Sequence, residues 1–247
     1  MATRLYLHDA ASAISGTLPS TEQSSRTAAV SIDAQTINRS MNTTIGTAQV
    51  VKSATSANAT DRIYYITKFV SDNLNQTSIA ANTWTYNFAF KIANVSNQIC
   101  PVFSTGGNEF NHLPITVYVW RPSTGAKVSN ILDANSGVNT FHDCSWTSVN
   151  ELVERGTFAG SAVTCQVNDV IIMEAWCYSS DSTARANAIN YYYDGTTVNT
   201  TNQATVSNHA SYLETPENIA FGAGGGAPID MTQSAAKTYS NKFITKV

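Results

Sequence analysis

Charge is what this chain has least of. Only 13% of its 247 residues are Asp, Glu, Lys or Arg, about half the share usual in soluble domains, and Ser, Thr, Asn and Ala stand in the vacated places. The 14 Lys and Arg are scattered and the net charge is -3, so there is no basic stripe to neutralise phosphates, and nucleic acid is not expected as a partner. Long apolar runs are missing as well. The longest surrounds Val170 to Met173, far short of the roughly 20 residues that span a bilayer as a helix, so no membrane role is expected. Met1 to Asp9 leads into no apolar stretch with a small-residue cleavage site, which argues against a signal peptide. Cys100, Cys144, Cys165 and Cys177 lack CxxC spacing and have no His at ligand distance. That spacing disfavours zinc and suits thiols kept reduced in a cytoplasm.

Catalytic signatures are also wanting. No nucleophile elbow, phosphate loop, dinucleotide fingerprint or calcium loop occurs, so no catalytic residue, cofactor or metal site is expected and the chain reads as a non-enzyme. His142-Asp143-Cys144 sets reactive types side by side, but strand neighbours face opposite ways, which splits the triplet. His8, His112 and His209 are isolated. Glu174 lies between Ile172 and Trp176 on one strand face, where burial would raise its pKa. A tyrosine hydroxyl or an Arg beside it is the ordinary outcome.

What the sequence does contain is strand. From Asp61 the composition changes to Arg62-Ile63-Tyr64-Tyr65-Ile66-Thr67-Lys68-Phe69-Val70, rich in β-branched and aromatic side chains. Period-two alternation then places Trp84, Tyr86, Phe88 and Phe90 on one face. Ile115 to Trp120 runs into Arg121-Pro122-Ser123-Thr124-Gly125, a turn sequence, and Lys127 to Leu132 can return as the second arm of a hairpin. Phe141 to Ser148 and Ser161 to Gln166 are further candidates. Val170 to Tyr178, apolar on both faces except at Glu174, suits a central strand. Ala184 to Tyr193 ends at Asp194-Gly195, a hairpin dipeptide, and Ser211 to Thr215 and Asn218 to Phe221 follow. No segment keeps a 3.6-residue apolar period, the nearest being Ser148 to Arg155. About eight to ten strands with turn signals between them predict an all-β fold, an antiparallel β-sandwich or jelly roll.

Three regions follow. Residues 1–60 hold no aromatic after Tyr6 and cannot close a core alone, so they are expected to form an extended N-terminal arm. Within it Arg4, Leu5, Tyr6 and Leu7 alternate like a strand that could add to a neighbouring subunit. Residues 61–221 form the sandwich, and residues 222–247 a Gly-rich hinge and polar C-terminal tail. Trp120, Tyr191 and Tyr193 are the candidate aromatic binding surface, with core packing as their alternative.

Met1-Ala2-Thr3-Arg4-Leu5-Tyr6-Leu7, Val117-Tyr118-Val119-Trp120-Arg121-Pro122, Tyr193-Asp194-Gly195-Thr196-Thr197 and Leu213-Glu214-Thr215-Pro216 together resemble virion proteins of tailed bacteriophages. The resemblance implies a β-sandwich component of the particle: a decoration or cement protein, a collar protein or a fibre. It would be made in the host cytoplasm, be located in the virion, and be partnered by its own copies and by major capsid, neck or tail proteins. Two other functions compete. A receptor module for host-surface glycan requires the three aromatics to be exposed, and a glycan-cleaving jelly roll requires a second acid near Glu174.

Overall fold

The computed structural model describes residues 2–23, 28, 30–56, 62–93, 99–100, 115–133, 151–179, 187–202 and 204–222. The expected strand at 141–148, the His142 triplet, His112 and the tail beyond residue 222 lie outside them. Among the described residues the protein is all-β, with no helix. The strands are β1 (Thr3–Ala11), β2 (Val30–Ser31), β3 (Arg39–Asn42), β4 (Val50–Ser56), β5 (Arg62–Ser71), β6 (Ser78–Ile79), β7 (Asn82–Ala93), β8 (Ile99–Cys100), β9 (Ile115–Arg121), β10 (Ala126–Leu132), β11 (Leu152–Gly160), β12 (Val163–Thr164), β13 (Val170–Ser179), β14 (Asn187–Tyr193) and β15 (Tyr212–Thr215).

One large sheet contains nearly all of them. It runs β10-β9-β13-β5-β3-β1-β15-β7, and pairing is antiparallel except where β2 and β3 lie parallel along β5. β7 is the branch point: one edge pairs with β11 over its first nine residues, Asn82 to Phe90. The other edge takes β15 at Thr85 to Asn87 and β14 at Ala89 to Ala93, and β14 carries β4. The far ends of the sheet then meet, because the Ser161 amide just past β11 donates to the Ile131 carbonyl in β10 at 2.8 Å. Gly160 permits that closure: a Cβ there would stand 2.6 Å from Trp84 Cδ1.

Alternation along each strand turns one set of side chains into a shared core. Leu5, Leu7, Met41, Tyr64, Ile66, Phe69, Tyr86, Phe88, Phe90, Val117, Val119, Ile171, Met173, Tyr191, Tyr193 and Leu213 form one buried cluster. Phe69 of β5 meets Tyr193 of β14 edge to face, with ring centroids 5.2 Å apart, so distant parts of the sheet pack on each other in sandwich fashion. The four aromatics expected on one face of β7 are all buried, and β13 is central, between β9 and β5. The β9–β10 hairpin forms as expected, with Gly125 at φ 65°.

The expected N-terminal arm is not an arm. Arg4, Leu5 and Tyr6 pair with Glu214, Leu213 and Tyr212 of β15, and Tyr6 and Leu7 pair with Asn42 and Met41 of β3. Leu5 is 1% exposed and Leu7 0%. The region does not close its own core because it need not: it adds apolar side chains and backbone partners to a core built mostly from later residues. A boundary at residue 61 therefore has no structural counterpart, since β1, β3 and β4 belong to the same sheet as β5. The hairpin expected at Asp194-Gly195 is also absent. Asp194 does adopt φ 63°, but β14 pairs with β4 and β7. The Asp194 carboxylate accepts the Asp9 amide at 3.0 Å instead.

If β1 is integral, Leu7→Ala opens a cavity in the core and lowers unfolding free energy by about 2–5 kcal/mol. Chemical denaturation measures this, and a loss below about 0.5 kcal/mol, the surface range, would show that β1 is peripheral.

Candidate functional site

The most elaborate polar arrangement lies outside the main core, where residues 12–23 leave β1 and cross the outer face of β9, β13 and β5. Apolar contact sets their path: Ile14 and Leu18 pack on a second cluster of Val70, Tyr118, Trp120, Val170 and Ile172. Backbone bonds fix the register, with the Thr17 amide donating to the Pro122 carbonyl at 2.9 Å and Trp120 Nε1 donating to the Thr17 carbonyl at 2.7 Å. Gly16 at φ 102° lies so close that a Cβ would be 2.9 Å from Pro122 Cβ. We call this segment the strap.

Beneath the strap, Thr116, Glu174 and Lys68 lie in register across three strands, each 0% exposed. An ammonium has three N–H bonds, and Lys68 Nζ reaches three carbonyls: Pro19 at 2.8 Å, Thr21 at 3.2 Å and Gln35 at 2.6 Å. Glu174 Oε1 accepts from the Gln23 amide at 2.6 Å and from the Tyr118 hydroxyl at 3.0 Å. Burial raises the Glu174 carboxyl to about 7, against the pull of those two bonds and of Lys68. Burial also lowers the Lys68 amine to about 8, against the pull of Glu174 and Glu22. The tyrosine hydroxyl expected beside Glu174 is present. Lys68 and the Gln23 amide were missed, although a lysine inside the apolar run 62–70 was a usable signal.

Two further networks tie strands together. Arg39 donates through Nε to Asp33 Oδ2 at 2.9 Å and through Nη1 to the Asp9 carbonyl at 2.9 Å, and it also pairs with the Asp9 carboxylate. Lys52 of β4 reaches Asp33 at 3.2 Å, and the Tyr193 hydroxyl donates to Asp9 at 2.7 Å. Elsewhere Asn87 Nδ2 donates to the Asn199 carbonyl and the Tyr212 hydroxyl, both at 2.9 Å. Asn87 Oδ1 is therefore left as an acceptor, and His209 Nε2, 2.9 Å away, must carry the hydrogen. Burial lowers His209 to about 4.

The expected aromatic surface does not form. Trp120 is 6% exposed and lies under the strap, while Tyr191 and Tyr193 are 0% exposed. The reason is register: Tyr191 pairs opposite Phe90 of β7, so the inward face of β14 continues the aromatic face of β7. The arm residues divide, with Leu5 and Leu7 in the core and Arg4 and Tyr6 lining an open cavity of about 460 Å³ with Thr43, Glu214 and Asn218. In that cavity Arg4 is paired with Glu214 at 2.5 Å. A second hollow, about 270 Å³, includes Gly16, Asn73, Pro122 and Asp169. Among the described residues no group of three or more His, Cys, Asp or Glu is placed to hold a metal ion.

No protein-family model matches the chain, and no curated relative does. Among solved structures it is similar to that of the infectious bursal disease virus Gx strain. Identity there is 10% and the TM-score 0.19, over 78% of this chain and 48% of that one. It is also similar to the infectious bursal disease virus VP2 subviral particle, at 11% identity and TM-score 0.13, over 69% and 40%. The chain thus spans less than half of either, and superposition this shallow establishes no common fold.

A histidine whose folded pKa lies near 4 instead of 6.5 binds its proton better when unfolded. Its contribution is therefore complete above 6.5 and shrinks as pH falls towards 4, by about 1.4 kcal/mol per pH unit. Denaturation of wild type and His209→Gln across pH 4 to 7 checks this. The difference between them should narrow on acidification, and a constant difference would place the proton elsewhere.

Proposed function

We propose that this chain is a non-catalytic structural subunit of a virus particle, of the kind tailed bacteriophages carry as decoration, collar or fibre components, and that it associates with copies of itself and with other particle proteins. The observation carrying the reading is where exposed apolar side chains fall. Ile37, Ile45 and Val51 are 37%, 37% and 46% exposed, and all lie between residues 37 and 51; Val167 is the other large one among the described residues. That segment leads into β4, which pairs with β14 along one edge and, among the described residues, with nothing along the other. An unpaired, β-branched edge beside exposed apolar side chains suits strand addition by a second copy. The low-charge, hydroxyl-rich surface opposes close packing of copies less than a charged one would.

The assembly route differs from the one the sequence suggested. Strand exchange by Arg4 to Leu7 would tear β1 from the sheet, whereas contact through β4 leaves the subunit intact. The glycan-receptor alternative loses its platform, because its three aromatics are buried.

Mass in solution tests the proposal. The purified chain should form oligomers at micromolar concentration, and Val51→Lys should shift it at least tenfold towards monomer with unchanged unfolding free energy. A chain that stays monomeric at every concentration and fails to bind particles lacking it would contradict the proposal.

A further inference from the structure

The open cavity beside Arg4 is built where β1 pairs with β15. Arg4 stands opposite Glu214 and Tyr6 opposite Tyr212, and strand alternation turns these side chains away from the core face of Leu5, Leu7 and Leu213. Thr3, Asn218 and Ile219 also line the cavity, tied together by the Ile219 amide donating to Thr3 Oγ1 at 2.7 Å. Thr43, exposed between β3 and β4, completes the lining on another side.

The polar groups of this cavity are fixed in advance of any ligand. Arg4 Cζ sits over the Tyr212 ring, 4.2 Å from its centroid, and the half-buried Tyr6 ring meets Tyr212 edge to face at 5.7 Å. Arg4 Nε donates to Glu214 Oε2 at 2.7 Å and Nη2 reaches the same oxygen at 2.5 Å, while Nη1 approaches the Tyr6 hydroxyl at 3.5 Å. Both strong bonds therefore fall on one carboxylate oxygen, and among the described residues Oε1 accepts none. A guanidinium has five N–H bonds, so Nη1 and Nη2 each keep one to offer.

We propose that this cavity binds one ring of a neutral saccharide, with a C–H face of the sugar against Tyr6, one hydroxyl donating to Glu214 Oε1 and the adjacent hydroxyl accepting from Arg4. A carboxylate and a guanidinium held side by side present an acceptor next to donors, and adjacent sugar hydroxyls, each able to donate and accept, match both. The charges of Arg4 and Glu214 cancel. An anion thus finds no net counter-charge and meets Glu214 Oε1 directly, while a wholly apolar ligand leaves both polar groups unpaired at a cost. The volume of about 460 Å³ falls within the roughly 300–1,000 Å³ of small-molecule sites. The site is complete within one subunit, and its aromatic is Tyr6, not the buried Trp120, Tyr191 and Tyr193.

Saturation-transfer NMR on the full chain tests this, with the methyl glycosides of glucose, galactose, mannose and N-acetylglucosamine as probes and glucuronate as the anionic comparison. At least one glycoside should take up saturation, and it should bind more tightly than glucuronate. Thr43→Trp, which fills the cavity from an exposed position, should weaken that binding about tenfold or more, the loss expected when hydrogen bonds to charged groups are blocked. Tyr6→Phe should bind as the wild type does and Tyr6→Leu should not, because the ring and not its hydroxyl makes the contact. Glu214→Gln leaves Arg4 uncompensated and should reverse the preference, so that glucuronate binds more tightly than the glycoside; with Thr43→Trp it carries the test should Tyr6→Leu not fold. Absence of transfer to every glycoside would overturn the proposal, and so would binding that survives Thr43→Trp or an unchanged preference in Glu214→Gln.

Discussion

Pairing of β1 with β15 on one side and β3 on the other is the seam on which the subunit depends. Without it the strand ladder of the described residues divides into β3-β5-β13-β9-β10 and the group around β7, left to be joined by the contact of Ser161 with Ile131, the bridge of Leu74 with Phe221 and side-chain packing such as Phe69 on Tyr193. The seam brings Thr3 opposite Thr215, so nearly the whole described chain must be in place before it forms. Contacts this far apart in sequence pay the loop-closure entropy late and favour slow folding. They also make the fold cooperative, because the buried face of β1 is covered only when both neighbours are present.

The scarcity of charge takes on meaning inside the molecule. Lys68, Glu174, Arg39, Asp33, Glu154 and Asp169 are all buried, so charged residues from an already small set are placed within the structure. Burying a charge is costly unless it is paired and hydrogen-bonded. Arg39 with Asp33 and Arg121 with Asp169 meet that requirement with close bonds. The strap cluster meets it incompletely, since Glu174 Oε2 has no hydrogen-bond partner. Such groups add less to stability than apolar packing does, but they specify register: Lys68 holds a strap that presents the Pro19 and Thr21 carbonyls to it, its third bond going to the Gln35 carbonyl.

Much of the sandwich was legible because period-two alternation survives in a strand whatever its partners. Trp84 to Phe90, Ile115 to Leu132 with its turn, and Val170 to Tyr178 each showed as strand, and the last as central. Partners were not legible. Arg4 to Leu7 reads the same whether it pairs within its own subunit or with a neighbour, since backbone bonds leave no mark in the side chains. Tyr191 and Tyr193 likewise read as two tyrosines on one face, and only the register with β7 turns that face inward. The two-residue strands β6 and β8 are too short to carry a period, and β3 and β4, rich in Ser, Thr and Asn, carry little apolar alternation, which accounts for much of the excess over eight to ten strands. The strap cluster was half visible, through Glu174; its other half is made by backbone carbonyls and an amide, which sequence does not display.

The central claim, that β1 is a seam and not an arm, is tested most directly by native-state hydrogen exchange at the Leu5 and Leu7 amides. The account predicts that they exchange only through global unfolding, with the same opening free energy and denaturant dependence as Ile172 and Met173 in β13. Exchange at Leu5 and Leu7 through a local opening several kcal/mol cheaper, while β13 remained protected, would contradict it.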